Sequence, residues 1–568
     1  MGRARPPAVV LTGVAIIVAF VLVTGVTAAL TVPAVALSAQ VSLAQMLPRT
    51  TVAYVAVDLN PTGTARGDLT AIGRAFSRQR GWDRISDLFS PQTSPRRHGS
   101  CLGDTVSAAG DRLAYLGHES ALAVLPGGPN RTGHKRRTVD RVVANNLVLV
   151  APLDVRMTLV DAVSGFSFSV PKQATRYRQV RVYREVVPMC DRRGGVVPSS
   201  YYVAIQKGYV VVALSQRPIE RVIDASLSRA GSLAQSQEYR RLTSQLPSTG
   251  IAEYYIDGPA LGGRHGFLAR LRSVLPIPAM VLGKVRHAGT IAGVATEQPS
   301  QLQLTSARLL TSHDRLPRAD PGELLRALPK GTPFFLASRS MQGELAQSVQ
   351  SHLLPLRIKP RELRLLTRSV YGEVDVFEPT RRSSVAQSPS DSSRDTPISL
   401  LWDIRSGDPR TIRIVRLAAE EIAGRKELTS GLDGTIRYGV DAQGGGYAVG
   451  SHWALISSDV FRGIDLMQTS PSSAPPAINQ LPRPGAVSTS PLSLMWELHV
   501  RTARTLISTA VRRLVGEKGR PLFPDLPVVL APVSTISGSV QDMPKAHVSL
   551  TYLTVTIPTA VQPAGTGY

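Results

Sequence analysis

The sequence is short of cysteine, of aromatic residues and of negative charge. Its 568 residues include two cysteines, 5% aromatic residues, and 41 acidic against 65 basic residues, which gives a formal net charge of +24. The two cysteines form no Cys-x-x-Cys pair, and this excludes a thioredoxin-like redox motif. Because 43% of the residues are hydrophobic and 19% are charged, the chain can bury a core, and a disordered stalk is excluded as well.

Charge of either sign is absent between Pro6 and Pro48. Residues 8–32 form an apolar run, and a helix of that length, at about 1.5 Å per residue, can span a hydrocarbon core of about 30 Å. The pattern therefore predicts a single-pass transmembrane anchor at 8–32. Arg3 and Arg5 lie on its N-terminal side, so the positive-inside bias predicts a cytoplasmic N-terminus and an extracytoplasmic location for the bulk of the chain.

The same region also permits a cleaved signal peptide. Ala34-Val35-Ala36 has the small-x-small form that signal peptidase accepts. The apolar run is much longer than the usual hydrophobic region of about 7–15 residues, which favours a retained anchor. Both interpretations export the rest of the chain. In the favoured one, residues 1–7 are a cytoplasmic tail and residues 33–46 are a stalk.

Export would place Cys101 and Cys190 in an oxidising compartment, where two cysteines usually form a disulfide. They are 89 positions apart, and closing a loop of that size stabilises a fold by up to about 4–5 kcal/mol in the chain-entropy account. Cys101 and Cys190 are therefore a candidate disulfide. The alternative is two buried thiols that do not meet.

The rest of the chain contains β-rich runs and helical patterns whose order repeats. The run that begins at Leu47-Pro48 is matched at Leu328-Pro329, and Thr-Ile-Ala-Gly from Thr290 is matched by Thr-Ile-Ser-Gly from Thr535. Four further stretches match in the same order: 147–164 with 400–422, 180–185 with 435–440, 201–214 with 447–456, and 246–247 with 481–482. The period far exceeds that of solenoid repeats, so the pattern predicts two duplicated domains, although α+β chains can also produce such matches by chance.

These matches set the predicted boundaries. The first repeat covers residues 47–311, a linker covers 312–322, the second repeat covers 323–557, and a flexible tail covers 558–568. We predict an α+β fold in which each repeat is a mainly antiparallel sheet with helices packed on one face.

The clearest local signal is a β-hairpin followed by a helix. Two β-rich runs, 201–205 and 209–214, flank the turn Gln206-Lys207-Gly208, where glycine permits a positive φ. Ser215 is placed to cap the next helix.

Several of these stretches resemble a known family. They are the run from Leu47-Pro48 to Asp58, the turn Pro61-x-Gly63, the hairpin 201–214, and the segment Ser232-Leu233-x-x-Ser236-x-x-Tyr239-x-x-Leu242. Together they resemble the bacterial membrane-anchored proteins of the domain of unknown function 3352 family, over about residues 47–310. The resemblance implies an exported single-pass protein. It brings no catalytic residues to this chain.

Motifs for catalysis or metal binding are scarce. The ten histidines form no His-Glu-x-x-His pair, and no Gly-x-Ser-x-Gly elbow is present. A strand is expected after the glycines 444–446, which favours a turn over a phosphate loop. Asp58 and Asp257 end strands, where capping the following turn is favoured over catalysis or metal binding. We predict no catalytic, metal-binding or cofactor-binding residue, and no cofactor.

A basic segment is the one further candidate site. Lys135, Arg136 and Arg137 follow one another in a polar stretch, and they form either a solvated loop or an anion-binding patch. An exported cationic protein is attracted to anionic phospholipid or to acidic polymers of the cell envelope, and nucleic acid is not an expected partner.

The sequence therefore favours a non-enzymatic, membrane-anchored protein of the cell envelope that binds or scaffolds an anionic polymer or a protein. The alternatives are an exported hydrolase and a two-lobed ligand-binding protein, each with a site between the two repeats.

Overall fold

The computed structural model describes residues 42–58, 63–77, 119–126, 146–152, 173–190, 196–228, 231–263, 266–272, 286, 289–310, 334–338, 361, 365–366, 370–377, 398–404, 407–423, 429–442, 444–457, 459–468, 492–500, 531–543 and 545–558. These residues fall into two units. The first unit ends at Leu309, and the second unit runs from Leu310 to Pro558.

The first unit is built on an antiparallel sheet. Its described strands are β1 (Ala53–Asp58), β2 (Glu119–Val124), β3 (Leu147–Pro152), β4 (Gln173–Tyr177), β5 (Val180–Cys190), β6 (Val196–Gln206), β7 (Tyr209–Ala213), β8 (Ala252–Asp257), β9 (Thr290–Gln298) and β10 (Gln301–Leu309). Their order across the sheet is β4-β5-β6-β7-β3-β2-β1-β8-β9-β10, and each neighbouring pair is antiparallel. The strands are rich in Val, Ile and Tyr, which fit a pleated buried surface.

The β6–β7 hairpin forms where the sequence predicts it, with a shorter turn. Gln206 pairs directly with Tyr209, so the turn consists of Lys207 and Gly208 alone. Their φ angles are 51° and 78°, which is the geometry of a type I′ turn and matches the twist of the two strands.

The first unit also has six described helices. They are α1 (Leu43–Met46), α2 (Gly63–Ser77), α3 (Gln216–Leu227), α4 (Gln237–Thr243), α5 (Gly258–Gly262) and α6 (Phe267–Arg272). In α3 the side chains of Ile219, Val222 and Ile223 are fully buried, because they recur at helical spacing and face β6 and β7. Ser215 occupies the N-cap position of α3, but its side chain makes no capping hydrogen bond, so that prediction is wrong. Asp257 does cap α5, since its Oδ1 accepts from the Ala260 backbone at 2.9 Å.

The second unit has its own antiparallel sheet. Its described strands are β11 (Phe334–Ser338), β12 (Val370–Phe377), β13 (Ile398–Ile404), β14 (Thr429–Asp433), β15 (Ile436–Val440), β16 (Gly446–Val449), β17 (Trp453–Ser457), β18 (Leu492–His499), β19 (Thr535–Met543) and β20 (Val548–Thr556). Their order is β14-β15-β16-β17-β13-β12-β11-β18-β19-β20, again antiparallel throughout. Counted from the first strand of each unit, this is the strand order of the first unit.

The helices of the second unit lie on both faces of its sheet. These are α7 (Pro409–Ala423) and α8 (Val460–Gln468). Ile414 and Val415 of α7 pack in one buried cluster with Trp402, whereas Val460 and Ile464 of α8 pack in another with Leu401. Successive residues of a strand point to opposite faces, so the two helices cover opposite sides. The α+β class with mainly antiparallel sheet is confirmed, but the prediction that helices pack on one face is wrong for this unit.

An aromatic ring lies against a glycine on the neighbouring strand in both units. Tyr254 of β8 is paired with Gly293 of β9, and Trp496 of β18 is paired with Gly538 of β19. A Cβ added at Gly293 would lie 2.4 Å from the Tyr254 ring, and one added at Gly538 would lie 2.5 Å from the Trp496 ring. Only glycine leaves room for the ring, so the same local packing occurs on corresponding strands.

Several predicted features lie outside the described residues. They are the anchor at 8–32, the basic segment at 135–137, and Cys101, without which the pairing with Cys190 is not described. Among the helices that the structure does describe, none is both long and apolar enough to cross a membrane.

Candidate functional sites: a carboxyl–tyrosine cluster and an arginine hairpin

Three central strands of the first sheet place acidic and aromatic side chains on one face. Tyr54, Ala56 and Asp58 alternate along β1 and therefore share a face. Asp58 is paired with Glu119 of β2, and Ala56 is paired with Glu253 of β8. The small Ala56 side chain, which is buried, lies between Tyr54 and Asp58 on this face.

Tyr54 connects these carboxyl groups to helix α4. Its hydroxyl donates to Oε1 of Glu253 at 2.9 Å and lies 2.8 Å from the hydroxyl of Tyr239. A phenol has one proton, so Tyr239 is the donor to Tyr54. The Tyr54 and Tyr255 rings stack with centroids 6.2 Å apart, and Tyr239 meets Tyr255 edge-on at 5.6 Å. We call Tyr54, Asp58, Glu119, Tyr239 and Glu253 the carboxyl–tyrosine cluster.

Burial raises the pKa values of acidic and phenolic groups in this cluster. Burial, followed by the nearby carboxylates of Glu253 and Asp58, raises the pKa of Glu119 to about 7. Burial also raises the pKa of Glu253, although the hydrogen bond from Tyr54 opposes that rise. The pKa of Tyr54 is well above its ordinary value because its hydroxyl is buried beside Glu253. At neutral pH the tyrosines are therefore hydrogen-bond donors, and Glu119 is the group that can exchange a proton.

The second unit has apolar side chains at two positions of this cluster. Trp496 corresponds to Tyr254 by its glycine contact, so Met495 corresponds to Glu253, and Phe335 corresponds to Tyr54. Phe335 and Met495 are buried in one apolar cluster. The fold therefore does not require a tyrosine and a glutamate at these positions.

The second unit carries a different polar pair. The His499 imidazole Nε2 lies 3.0 Å from Oε1 of Glu497, a carboxylate that is largely buried. This hydrogen bond raises the pKa of His499, while partial burial opposes the rise. In the described parts of both units, no group of three or more His, Cys, Asp or Glu side chains is arranged to hold a metal ion.

The β4–β5 hairpin of the first unit is the second candidate site. Arg176 of β4 is directly paired with Arg181 of β5, and both side chains are exposed. Arg184 on β5 is exposed too and donates to Oγ of Ser200 at 3.1 Å. We call residues 173–184 the arginine hairpin.

Helix α3 holds the arginine hairpin in place. The Tyr177 hydroxyl donates to Asp224 of α3 at 3.0 Å, and the Arg178 guanidinium pairs with the same carboxylate at 2.8 Å. Arg178 and Gln179 form the two-residue turn with φ angles of 44° and 69°. Side chains other than glycine rarely adopt this conformation, so the contacts to Asp224 help to fix it.

Only part of these sites is predictable from the sequence alone. Tyr54 and Asp58 stand in a run noted for its β pattern, and the period of two along Tyr-Val-Ala-Val-Asp already places them on one face. Glu119 and Glu253 are distant along the chain and reach this face only through strand pairing, whereas Tyr239 reaches Tyr54 through the packing of helix α4. The arginine hairpin was missed because its arginines alternate with other residues and form no charge run.

The comparisons with known proteins identify the family. Two crystal structures of TP0453 are similar to part of the chain. Form I matches with 9% identity and a TM-score of 0.24, over 49% of this chain and 82% of that chain. Form III matches with 11% identity and a TM-score of 0.23, over 49% and 84%. No curated protein matches the sequence. The family described as "Protein of unknown function (DUF3352)" matches residues 7–370, well over half of the chain. The predicted resemblance is confirmed, and this protein belongs to the DUF3352 family.

Proposed function

We propose that this chain is a single-pass membrane protein whose two units lie outside the cytoplasm and bind or scaffold a partner in the cell envelope. One observation carries the proposal. The uncharged run 8–32 stands ten residues before the first described helix, which begins at Leu43. Such a run supports an anchor, and Arg3 and Arg5 support a cytoplasmic N-terminus.

The proposal includes an internal duplication with repeats at 47–311 and 323–557. It is supported by the shared strand order and by the paired contacts Tyr254–Gly293 and Trp496–Gly538. A shared order of this length is far more specific than short sequence matches.

The burial and hydrogen bonding of the polar side chains favour a binding function over a catalytic one. The hydroxyls of Tyr54 and Tyr239 are buried and committed to each other and to Glu253. A catalytic group must instead reach a substrate proton within hydrogen-bond distance. The exposed arginines of the arginine hairpin, together with the net charge of +24, favour an anionic polymer or an acidic protein as the partner.

Membrane extraction and protease access test the proposal. Full-length protein should stay in the membrane pellet after an alkaline carbonate wash, and protease added to intact spheroplasts should digest the units. The variant V18R/L22R places two charges at the centre of the run and should be released. Release of the wild type by carbonate, or full protection in intact spheroplasts, would contradict the proposal.

A further inference from the structure

We propose that the arginine hairpin docks on the anionic phospholipid headgroups of the membrane that holds the anchor, with Arg176 and Arg181 as its contact residues. This inference rests on the proposed anchoring. It adds a defined contact surface and a chemical class of partner.

The first step is the pairing of two like charges. Arg176 and Arg181 are direct cross-strand partners, and the Cβ atoms of such partners are about 5 Å apart. Like charges at that distance repel each other, so the hairpin is locally unfavourable when no anion is bound. A phosphate between the two guanidinium groups would remove the repulsion and form charge-assisted hydrogen bonds.

The second step is that the protein does not neutralise this pair within the part of the chain that the structure describes. Asp224, the carboxylate next to the hairpin, is already bonded to Arg178 and Tyr177. Those two residues belong to the turn, whereas Arg176 and Arg181 lie on the sheet face opposite Val180 and Val182, which are buried. The arginine pair therefore stays exposed and positively charged.

The third step is rigidity. The turn residues Arg178 and Gln179 are held at positive φ by the contacts with Asp224. A surface that is ordered before binding loses less conformational entropy when it binds. The hairpin therefore presents Arg176 and Arg181 from an ordered backbone.

The fourth step is the short distance between the anchor and the first unit, and this distance favours the membrane as the partner. Ten residues separate Val32 from Leu43, and even a fully extended chain of that length spans no more than about 40 Å. The first unit is then confined close to the bilayer, where anionic headgroups are present at high effective concentration. Each arginine near such a surface favours binding by roughly fivefold.

Hydrogen exchange on the full chain in proteoliposomes tests the docking. The vesicles contain phosphatidylcholine alone, or phosphatidylcholine with an equal part of phosphatidylglycerol. Among the described strands β4 pairs only with β5, so its outer amides exchange freely unless a surface covers them. We expect exchange in residues 173–184 to slow in the anionic vesicles and to stay fast in the neutral ones.

A matched pair of variants locates the effect. R176A/R181A should lower the docked-to-free ratio by roughly 30-fold and abolish the slowing. R240A/R241A removes two exposed arginines from helix α4 and the same net charge, and it should keep the slowing. Unchanged exchange in β1 and β8 shows that each variant is folded.

The outcomes separate the alternatives. If the anionic lipid does not slow exchange at 173–184, or if both double variants lose the slowing equally, the docking proposal is overturned. If inorganic phosphate added to neutral vesicles slows exchange as much as the anionic lipid does, the hairpin is a free-phosphate site and the lipid proposal fails. The carbonate wash reports on the anchor alone, so the two proposals can fail separately.

Discussion

The hydroxyl of Tyr54 lies 2.8 Å from the hydroxyl of Tyr239, although the two residues are 185 positions apart in the chain. The Tyr54 hydroxyl in turn donates a hydrogen bond to Glu253, and this chain of hydrogen bonds joins strand β1 to strand β8 and to helix α4. The corresponding positions of the second unit hold Phe335 and Met495, so the two units stabilise the same strands with different chemistry.

Replacing Tyr54 by phenylalanine tests this chain of bonds. Y54F leaves the buried Glu253 carboxyl and the Tyr239 hydroxyl without their partner, and it should destabilise the first unit by about 2–3 kcal/mol. Y54F/E253M recreates the Phe335–Met495 pair and should recover the part of that loss that comes from the unpaired Glu253 carboxyl. Hydrogen exchange of β1 and β8 amides measures the free energy of opening.

Y255F is the control, because it alters the same ring stack and keeps both hydrogen bonds. We expect it to change the stability by less than about 1 kcal/mol. Equal effects of Y54F and Y255F would mean that the two hydrogen bonds of the Tyr54 hydroxyl do not stabilise the cluster.

The raised pKa of Glu119 makes the first unit less stable as the pH rises. Its ordinary pKa is 4.5 and its folded value is about 7, so the folded state holds a proton that the unfolded state releases between these values. The stability associated with the neutral form is present below about pH 4.5 and is lost as the pH rises through about 7, by up to about 3 kcal/mol. E119Q should remove most of this dependence and should be more stable than the wild type at pH 8.

Urea unfolding followed at β1 and β2 across that pH range measures the effect. E238Q removes an exposed carboxylate from the first turn of α4 and should keep the wild-type slope. A smaller slope of the same sign should persist in E119Q, because burial raises the pKa of Glu253 and Glu297 as well. If E119Q and the wild type have the same slope, Glu119 is not the titrating group.

The Glu497–His499 pair gives the second unit the same direction of pH dependence through a basic group. The bond to Glu497 raises the pKa of His499. The stabilisation is therefore full below the ordinary histidine value of about 6.5 and disappears as the pH rises through the folded value. H499Q should accelerate the opening of β18 at pH 5.5 and leave it unchanged at pH 9, as measured by hydrogen exchange corrected for intrinsic rates.

His452 provides the comparison for that experiment, since it lies exposed in the β16–β17 turn. H452Q should affect β18 at neither pH. A loss of stability in H499Q that is equal at both pH values would indicate a packing role for the imidazole instead.

The two aromatic–glycine contacts predict that the same substitution of glycine destabilises each unit by a similar free energy. G293A and G538A place a methyl group against the Tyr254 and Trp496 rings, and each should destabilise its own unit by about 1–3 kcal/mol. G67A adds the same methyl group in helix α2, where no atom lies within 4 Å, and should stabilise by about 0.5–1 kcal/mol. Thermal unfolding of the three variants measures the difference, and a G538A variant as stable as the wild type would argue against equivalent packing in the two units.

The order of the strands along the chain could be anticipated from the sequence, but their register across the sheet could not. Matching Thr435 with Val180 by sequence is one residue off, because the β14–β15 turn pairs Asp433 with Ile436 as the β4–β5 turn pairs Tyr177 with Val180. A slip of one residue exchanges the two faces of a strand. In the corrected register Leu432–Arg437 corresponds to Arg176–Arg181, so the second unit carries one arginine where the first carries two.

The polar sites could not be predicted from the sequence for a related reason. Period-two patterns identify which residues share a face of one strand, but they do not say which distant strand lies beside it. Glu119 and Glu253 reach Tyr54 and Asp58 only through pairings across long connections. The helices on both faces of the second sheet were missed because α7 and α8 have similar amphipathic patterns, and an amphipathic pattern does not select a face.

Export of both units is the central claim, and fusions to Tyr568 test it most directly. We predict that alkaline phosphatase fused after Tyr568 is active, because it folds outside the cytoplasm. We also predict that green fluorescent protein fused at the same position is not fluorescent, because the general secretory route exports it. A fluorescent fusion together with an inactive phosphatase would place the C-terminus in the cytoplasm and contradict the account.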